Sequence, residues 1–316
     1  MNLKAIEPTR SPAGAVGSVV ALMRDLIDYA GLFPPASLNM ASAVAKYDGY
    51  LRSEWRWILG RFIVPVARLD EFKEALAGLQ TLKPRSGFRN WRLSALLGPE
   101  VVDDMARVRA FNARKADSRS ARRSVIESLE VKGSTPEEIK QVAGIAPAGI
   151  NVYFEMPLSG RNDYIAMIAH CGRRAKIRTG GETADKFPTP QSVVEFLRFC
   201  AAAKVPFKAT AGLHHPLRSM HRLTYQADSP TGTMHGFLNV FLAAAFLRAG
   251  MTTSLALQLL EEQTAQAFHF DSQGILWREH RLSASEIATA RRAFAVSFGS
   301  CSFTEPIDDL RALHLL

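Results

Sequence analysis

The hydrophobic positions of this chain switch repeatedly between two periods. Short runs rich in β-branched, aromatic and other apolar residues are each followed by a segment whose apolar positions recur at helical spacing. The run "RFIVPVARL" (61–69) leads into "DEFKEALAGLQ", with Asp70 placed as an N-cap. "WRLSALLG" (91–98) leads into "PEVVDDMARVRAFNARK", with Pro99 at the helix start. "RSVIESLEVK" (123–132) precedes "STPEEIKQVAGI", where Ser134 or Thr135 caps and Pro136 opens the helix. The same alternation holds for "GLFPPA" (31–36), "GINVYFEMP" (149–157), "AKIRTGG" (175–181), "PFKATAGLHHP" (206–216) and "AVSFGSCSF" (295–303). In the unit opened by "GLFPPASLNM", Ser37 and Asn39 read first as helix caps, and Asp28 and Tyr29 just before it carry no readable role.

Eight strand candidates, each with a helix after it, predict a parallel sheet covered by helices. Their number and the chain length predict an α/β fold of the closed (β/α)8 TIM-like barrel type. The competing open, doubly wound sheet lacks its GxGxxG marker after the first strand. One barrel domain is expected over 1–316. The rhythm breaks between the seventh and eighth strands, where 251–285 reads as an insertion. Within it "AFHFDSQGILWREHRLS" (267–283) predicts a hairpin turning at "DSQG".

Composition narrows the functional classes. The 316 residues are 47% hydrophobic, enough for a large core, and the net charge of +9 suits an anionic partner. The basic residues are scattered apart from "RVRAFNARKADSRSARR" (107–123), which reads as a solvated helix and loop. With no zinc-finger, basic-zipper or RNA-recognition signature, no nucleic-acid partner is expected. Cys171, Cys200 and Cys301 are far apart and form no CxxC pair, which disfavours a disulfide framework. The most apolar stretch, "GFLNVFLAAAFLRAG" (236–250), is too short to span a bilayer and reads as a buried helix. The N-terminus lacks the pattern of a secretory signal. A cytoplasmic protein without a membrane partner is expected, and assembly into a homo-oligomer is left open.

Side chains two apart on a strand share a face, and in a barrel one face looks inward. Lys176 and Arg178 therefore point together, as do Lys208, Thr210 and Gly212, and as do Tyr153 and Glu155. Glu127 and Glu130 have opposite parity, so both point inward only if the strand bulges or ends between them. Buried charges are kept when paired, so each could be structural. Four or more on consecutive strands favour a site, because a purely structural interior is built more cheaply from Val or Leu. Lys208, Glu155, Lys176 and His214 are the catalytic candidates.

The turns add substrate-binding candidates. Thr179, Gly180 and Gly181 follow Arg178, and Gly212 follows Thr210, placing small residues where backbone amides meet an anion. Arg178 suits bidentate contact with carboxylate or phosphate. Ser300, with Ser297, Gly299 and Ser302, lies after the eighth strand, where barrels commonly bind phosphate. Of the consecutive His214 and His215, one enters the mouth while the other packs. His214 is the candidate acid or base. No cofactor is expected. The alternative is a divalent metal on Glu127, Glu155 and His214, although no HxH or HExxH spacing supports it.

The motifs "KIRTGG" and "FKATAGLHHP", with "MHGFLNVFLAA" beyond, resemble a bacterial protein family that brings no established activity with it. The resemblance covers roughly the second half of the chain. "FKATAG" is also similar to the lysine-bearing late strand of barrel-class Schiff-base aldolases such as deoxyribose-phosphate aldolase, with one extra alanine between lysine and threonine. That likeness implies a Schiff base on Lys208. The leading expectation is a lyase or aldolase acting on a small anionic carbonyl compound, with the Lys208 pKa lowered by burial and by Lys176 and Arg178. A metal-dependent lyase, isomerase or hydrolase is the first alternative. A barrel that binds a metabolite or partner without turnover is the second.

Overall fold

Alternating periods fold as their spacing dictates, with strands inside and helices outside. The computed structural model describes residues 15–80, 91–114, 124–158 and 161–316. Its strands are β1 (Ile27–Tyr29), β2 (Leu59–Pro65), β3 (Trp91–Leu96), β4 (Ser124–Lys132), β5 (Asn151–Glu155), β6 (Arg174–Arg178), β7 (Phe207–Thr210), β8 (Ser219–Arg222), β9 (Thr231–Met234), β10 (Phe268–Phe270), β11 (Gly274–Trp277), β12 (His280–Ser283) and β13 (Ala295–Ser300). Strands β1 to β7 and β13 close into one parallel barrel, with β13 joining β7 to β1. A helix follows each barrel strand, so the molecule is a (β/α)8 barrel. The end of the basic cluster (115–123) and the N-terminal stretch (1–14) lie outside the described residues.

Outward-facing strand residues build the layer between barrel and helices. Phe207 is buried against Phe196, Phe241 and Phe294, with ring centroids 5.2–6.1 Å apart. The helix Phe237–Arg248 is apolar on all sides and buried over almost its whole length, as its composition requires. Caps fix several helix starts. Asn39 accepts a hydrogen bond from the Ser42 amide, and Thr135 accepts one from the Glu138 amide behind Pro136. Asp70 lies one residue inside its helix and pairs with Lys73, while Pro99 stands two residues before its own.

Four features depart from the sequence reading. The first strand is Ile27–Tyr29, not "GLFPPA", which forms a turn closed by the Leu38 amide on the Gly31 carbonyl. Its two prolines cannot donate to a ladder, so the chain pairs upstream of them. In β4 the register slips by one between Ile126 and Ser128, making Glu127 a bulge. That extra residue lets Glu127 join Arg92 and Arg61 of β3 and β2, although its parity is opposite to Glu130. The insertion holds a three-stranded sheet, β10–β11–β12, rather than one hairpin. Its first turn is at the expected place, where the Asp271 carboxylate accepts the Gln273 and Gly274 amides. Finally, the loop after β7 carries an unforeseen hairpin, β8–β9.

Arg291 locks the lower end. Its guanidinium is buried and donates to the carbonyls of Leu22, Arg24, Ala295 and Val296. Burial lowers its pKa to about 10, because no carboxylate is bonded to it there.

Candidate functional site

The barrel interior carries a line of alternating charges that climbs from the middle of the sheet to its C-terminal rim. It begins at Asp28 on β1. Its carboxylate accepts from the Arg61 amide (2.7 Å), the Ser297 hydroxyl (2.8 Å) and Lys208 Nζ (2.7 Å). Lys208 Nζ also donates to Glu130 Oε1 at 2.6 Å and lies 5.6 Å from the centre of the Tyr153 ring. Glu130 is shared: Ser94 donates to Oε1 at 2.6 Å, and Lys176 Nζ stands 2.8 Å from Oε2. Lys176 Nζ is also 2.8 Å from Glu155 Oε2, and Arg178 Nε donates to Glu155 Oε1 at 2.9 Å. The six charges come from five strands and sum to zero.

Period-two alternation explains the convergence. Lys176 and Lys208 are register partners on adjacent strands, so their side chains enter the barrel at one level. Two ammonium groups there need a carboxylate between them, and Glu130 reaches in from β4 to supply it. Asp28, Glu130 and Lys208 are almost fully buried, Glu155 is 15% exposed and Arg178 is 49% exposed at the side chain. The line therefore runs from a dry interior to solvent.

Electrostatics follow from this geometry. Burial pushes the Asp28 and Glu130 carboxyls up, but their lysines outweigh it, and both pKa values end below the ordinary carboxylate range. Glu155 is likewise held low by Lys176 and Arg178 against its burial. Burial would lower the Lys208 pKa, yet Asp28 and Glu130 raise it above the usual lysine value. The lowering expected from neighbouring cations is thus reversed. The groups in contact with Lys208 are carboxylates, and it holds its proton.

At the rim a cavity of about 620 Å³ opens over the ends of β4, β5 and β6. Glu155 and Arg178 line it together with Lys132, Ser134, Asp185 and Lys186. Among the described residues, Arg178 bonds Glu155 through Nε, which leaves its two terminal nitrogens for a ligand. The six charges of the line cancel and Lys186 lies 3.4 Å from Asp185, so Lys132 leaves the opening with one net positive charge.

The other candidates fall elsewhere. Thr179 is buried and donates to the Ala211 carbonyl at 2.6 Å. Gly180 and Gly212 pack directly on each other, and a Cβ on Gly180 would stand 2.7 Å from Gly212 Cα. What these glycines approach closely is the neighbouring turn. A Cβ on Gly181 would meet the Lys186 side chain. Thr210, half-buried at the end of β7, receives the Thr179 amide on its carbonyl. Ser300 is buried at the end of β13, and its carbonyl accepts the Ala30 amide.

His214 does not join the charge line. Its Nδ1 lies 3.0 Å from Glu305 and its Nε2 4.0 Å from Cys301 Sγ. His215 bonds Asp309 at 2.6 Å and stacks on His221 with ring centres 3.4 Å apart. The metal set Glu127, Glu155 and His214 is not assembled, since each is bonded to different neighbours. Among the described residues no group of three or more His, Cys, Asp or Glu side chains is placed to hold a metal ion. No described helix is long and apolar enough to cross a membrane.

Sequence reasoning missed Asp28, Ser94, Cys301 and Glu305, and it named Ser297 for anion binding where the structure bonds it to Asp28. Asp28 had a signal: it is the lone charge inside the apolar run "LIDYAG". Ser94 had none, because its partners come from another strand. No family model matches this chain, and neither a curated protein nor a solved structure does.

Proposed function

We propose that this chain is a barrel enzyme of lyase or aldolase type that acts on a small anionic carbonyl compound at the mouth over β5 and β6. The observation that carries this reading is the open end of the charge line. A neutral, structural set of ion pairs needs no outlet, and here it ends in a half-exposed arginine that lines an open cavity beside Lys132. Arg178 holds the carboxylate or phosphate, using the guanidinium edge that Glu155 leaves unoccupied. Glu155 lines the cavity with the buried Lys176 behind it, and the pair moves the proton of the carbon acid or of the leaving group. Lys208 and Glu130 lie deeper and set the field in which that transfer occurs. Lys208 has no room and no free electron pair for a carbonyl adduct, so the chemistry assigned to it is that of a fixed positive charge.

Calorimetric titration with inorganic phosphate and with small 2-oxo acids tests binding, and deuterium uptake at the substrate α-carbon, read by NMR, tests proton transfer. Arg178→Gln should weaken anion binding about tenfold or more, the value of a charge-assisted contact of about 1.5–3 kcal/mol. Glu155→Gln should abolish exchange while leaving folding intact. If no anion in the set binds, or if Arg178→Gln binds as wild type does, the reading fails. Binding without any exchange or turnover would make the barrel a binding protein instead.

A further inference from the structure

A second constellation stands on the same rim, over β7 and β13, and the charge line makes no use of it. Cys301 lies in the turn between β13 and the helix Thr304–Ala312, and is 6% exposed. His214 reaches it from the loop after β7, with Nε2 4.0 Å from the sulfur. The opposite ring nitrogen lies 3.0 Å from Glu305 Oε2, in the first turn of that helix. The order is thiol, imidazole, carboxylate, which is the arrangement of a nucleophile, its base and the group that orients the base. Tyr225, in the loop joining β8 to β9, closes over the group. Its hydroxyl donates to Glu305 at 2.9 Å and lies 3.6 Å from the sulfur, while its ring is half in solvent.

Two further observations set this cysteine apart. Tyr29, the register partner of Ser300, is 1% exposed, and among the described residues its hydroxyl has no hydrogen-bond partner. Its register partner immediately precedes Cys301 in the chain. A buried donor without an acceptor is costly unless something else accepts from it. By contrast, Cys200 is fully buried in the core, where desolvation alone raises its pKa. His214 is pushed the other way. Burial would lower its pKa, but Cys301 and Glu305 raise it to about 10, as a paired imidazolium requires.

We propose that Cys301, His214 and Glu305 form a thiol-nucleophile site, gated by Tyr225 of the β8–β9 hairpin, that accepts acyl groups from small esters or thioesters and transfers them to water. At rest His214 holds the proton on Nε2, and in the first step the sulfur beside it attacks the carbonyl carbon as a thiolate. The tetrahedral adduct collapses to an acyl-thioester, and the leaving alkoxide or thiolate takes the proton from His214, which becomes a neutral base. Water, deprotonated by that nitrogen, then attacks the thioester, and the sulfur leaves as a thiolate against the re-formed imidazolium. No oxidant or cofactor enters. The orphan hydroxyl of Tyr29 is the donor suited to the oxyanion. The titrating and charged groups facing Cys301 are His214 from the β7 loop, Glu305 from the helix, Tyr225 from the hairpin and Tyr29 from β1, with His215 and Asp309 behind them.

The test is residue-resolved mass spectrometry of the intact folded chain. With iodoacetamide at pH 6.5, Cys301 should react about tenfold or more faster than Cys171, although Cys171 is the more exposed thiol. An unperturbed thiol near pKa 8.5 is only about 1% ionised at that pH, whereas the Cys301 sulfur has the His214 imidazole beside it. Tyr225→Ala should raise the Cys301 rate further, and His214→Gln should lower it to an ordinary thiol rate. With p-nitrophenyl acetate, one acetyl group should appear on Cys301, with a burst of nitrophenolate that Cys301→Ser loses. The wild-type measurement alone is decisive if the variants fail to fold. Alkylation of Cys301 no faster than that of Cys171, or acetyl found on other residues only, overturns the proposal.

Discussion

Replacing Lys208 with methionine tests the central claim about the barrel interior. The substitution keeps most of the side-chain volume and removes one charge. It deprives two buried carboxylates of a partner each: Asp28 keeps the Arg61 amide and the Ser297 hydroxyl, and Glu130 keeps Lys176 and Ser94. Breaking a buried pair by removing one member costs about 3–5 kcal/mol, because the remaining charge stays desolvated. At about 2–3 °C per kcal/mol for a chain of this size, the melting temperature should fall by roughly 6–15 °C at pH 7.5. The pH dependence is the sharper readout. In the variant, burial acts on Asp28 without its main compensating charge, so its pKa rises and protonation relieves the defect. The deficit against wild type should therefore shrink as pH falls towards 4.5. Differential scanning calorimetry of both proteins between pH 4.5 and 7.5 measures it. A loss under about 1 kcal/mol at pH 7.5, or a deficit independent of pH, would refute the account of Lys208 as a structural cation between two carboxylates.

Three further outcomes are expected. Borohydride with a carbonyl substrate should leave no reduced adduct on Lys208, since the amine is charged and buried; peptide mapping that finds one would return the Schiff-base mechanism to Lys208. Asp28, Glu130 and Glu155 all have lowered pKa values, so the stability they add is present above the usual carboxylate range, about pH 4–4.5, and is lost as pH falls through their native values. A wild-type melting temperature that does not drop between pH 5 and pH 3 contradicts this. Gly212→Ala should cost at least about 2 kcal/mol, because its φ of +73° and a contact of 2.8 Å with Gly180 Cα both oppose a side chain. Gly149→Ala should cost only about 1–2 kcal/mol, since it shares the positive φ with nothing within 4 Å; equal melting temperatures for the two variants would be inconsistent with the packed turns.

Parity along single strands was enough to place Lys176, Arg178, Lys208, Tyr153 and Glu155 inside the barrel, because a side-chain period of two needs no knowledge of the partner strand. It could not tell how high each residue sits or which charge it meets. Lys208 looked like one of three neighbouring cations, and its real partners come from strands remote in sequence, 180 and 78 residues away. Asp28 was lost for a different reason. The apolar double-proline run beside it reads as a strand, but Pro34 and Pro35 have no amide to give to a ladder. The bulge at Glu127 follows from register against β3, which no single strand reveals. Cys301, His214 and Glu305 belong to three separate segments, and only barrel closure brings β13 beside β7.

The separation of Asp28 from Lys208 also bears on how the chain can be made. A ribosome that has released the first six barrel strands has released Asp28 but not its lysine, although Glu130 already has Lys176. Packing that half-built sheet would seal an unmatched carboxylate into an apolar interior, so burial of Asp28 must wait until β7 arrives. The fastener at the other end is later still, since Arg291 ties the segment around Leu22 and Arg24 to β13. Closure therefore rests on contacts that span nearly the full length of the polypeptide. Fragments ending before β7 should be soluble only when held by a chaperone, and half-barrels of this sequence are poor building blocks for recombination.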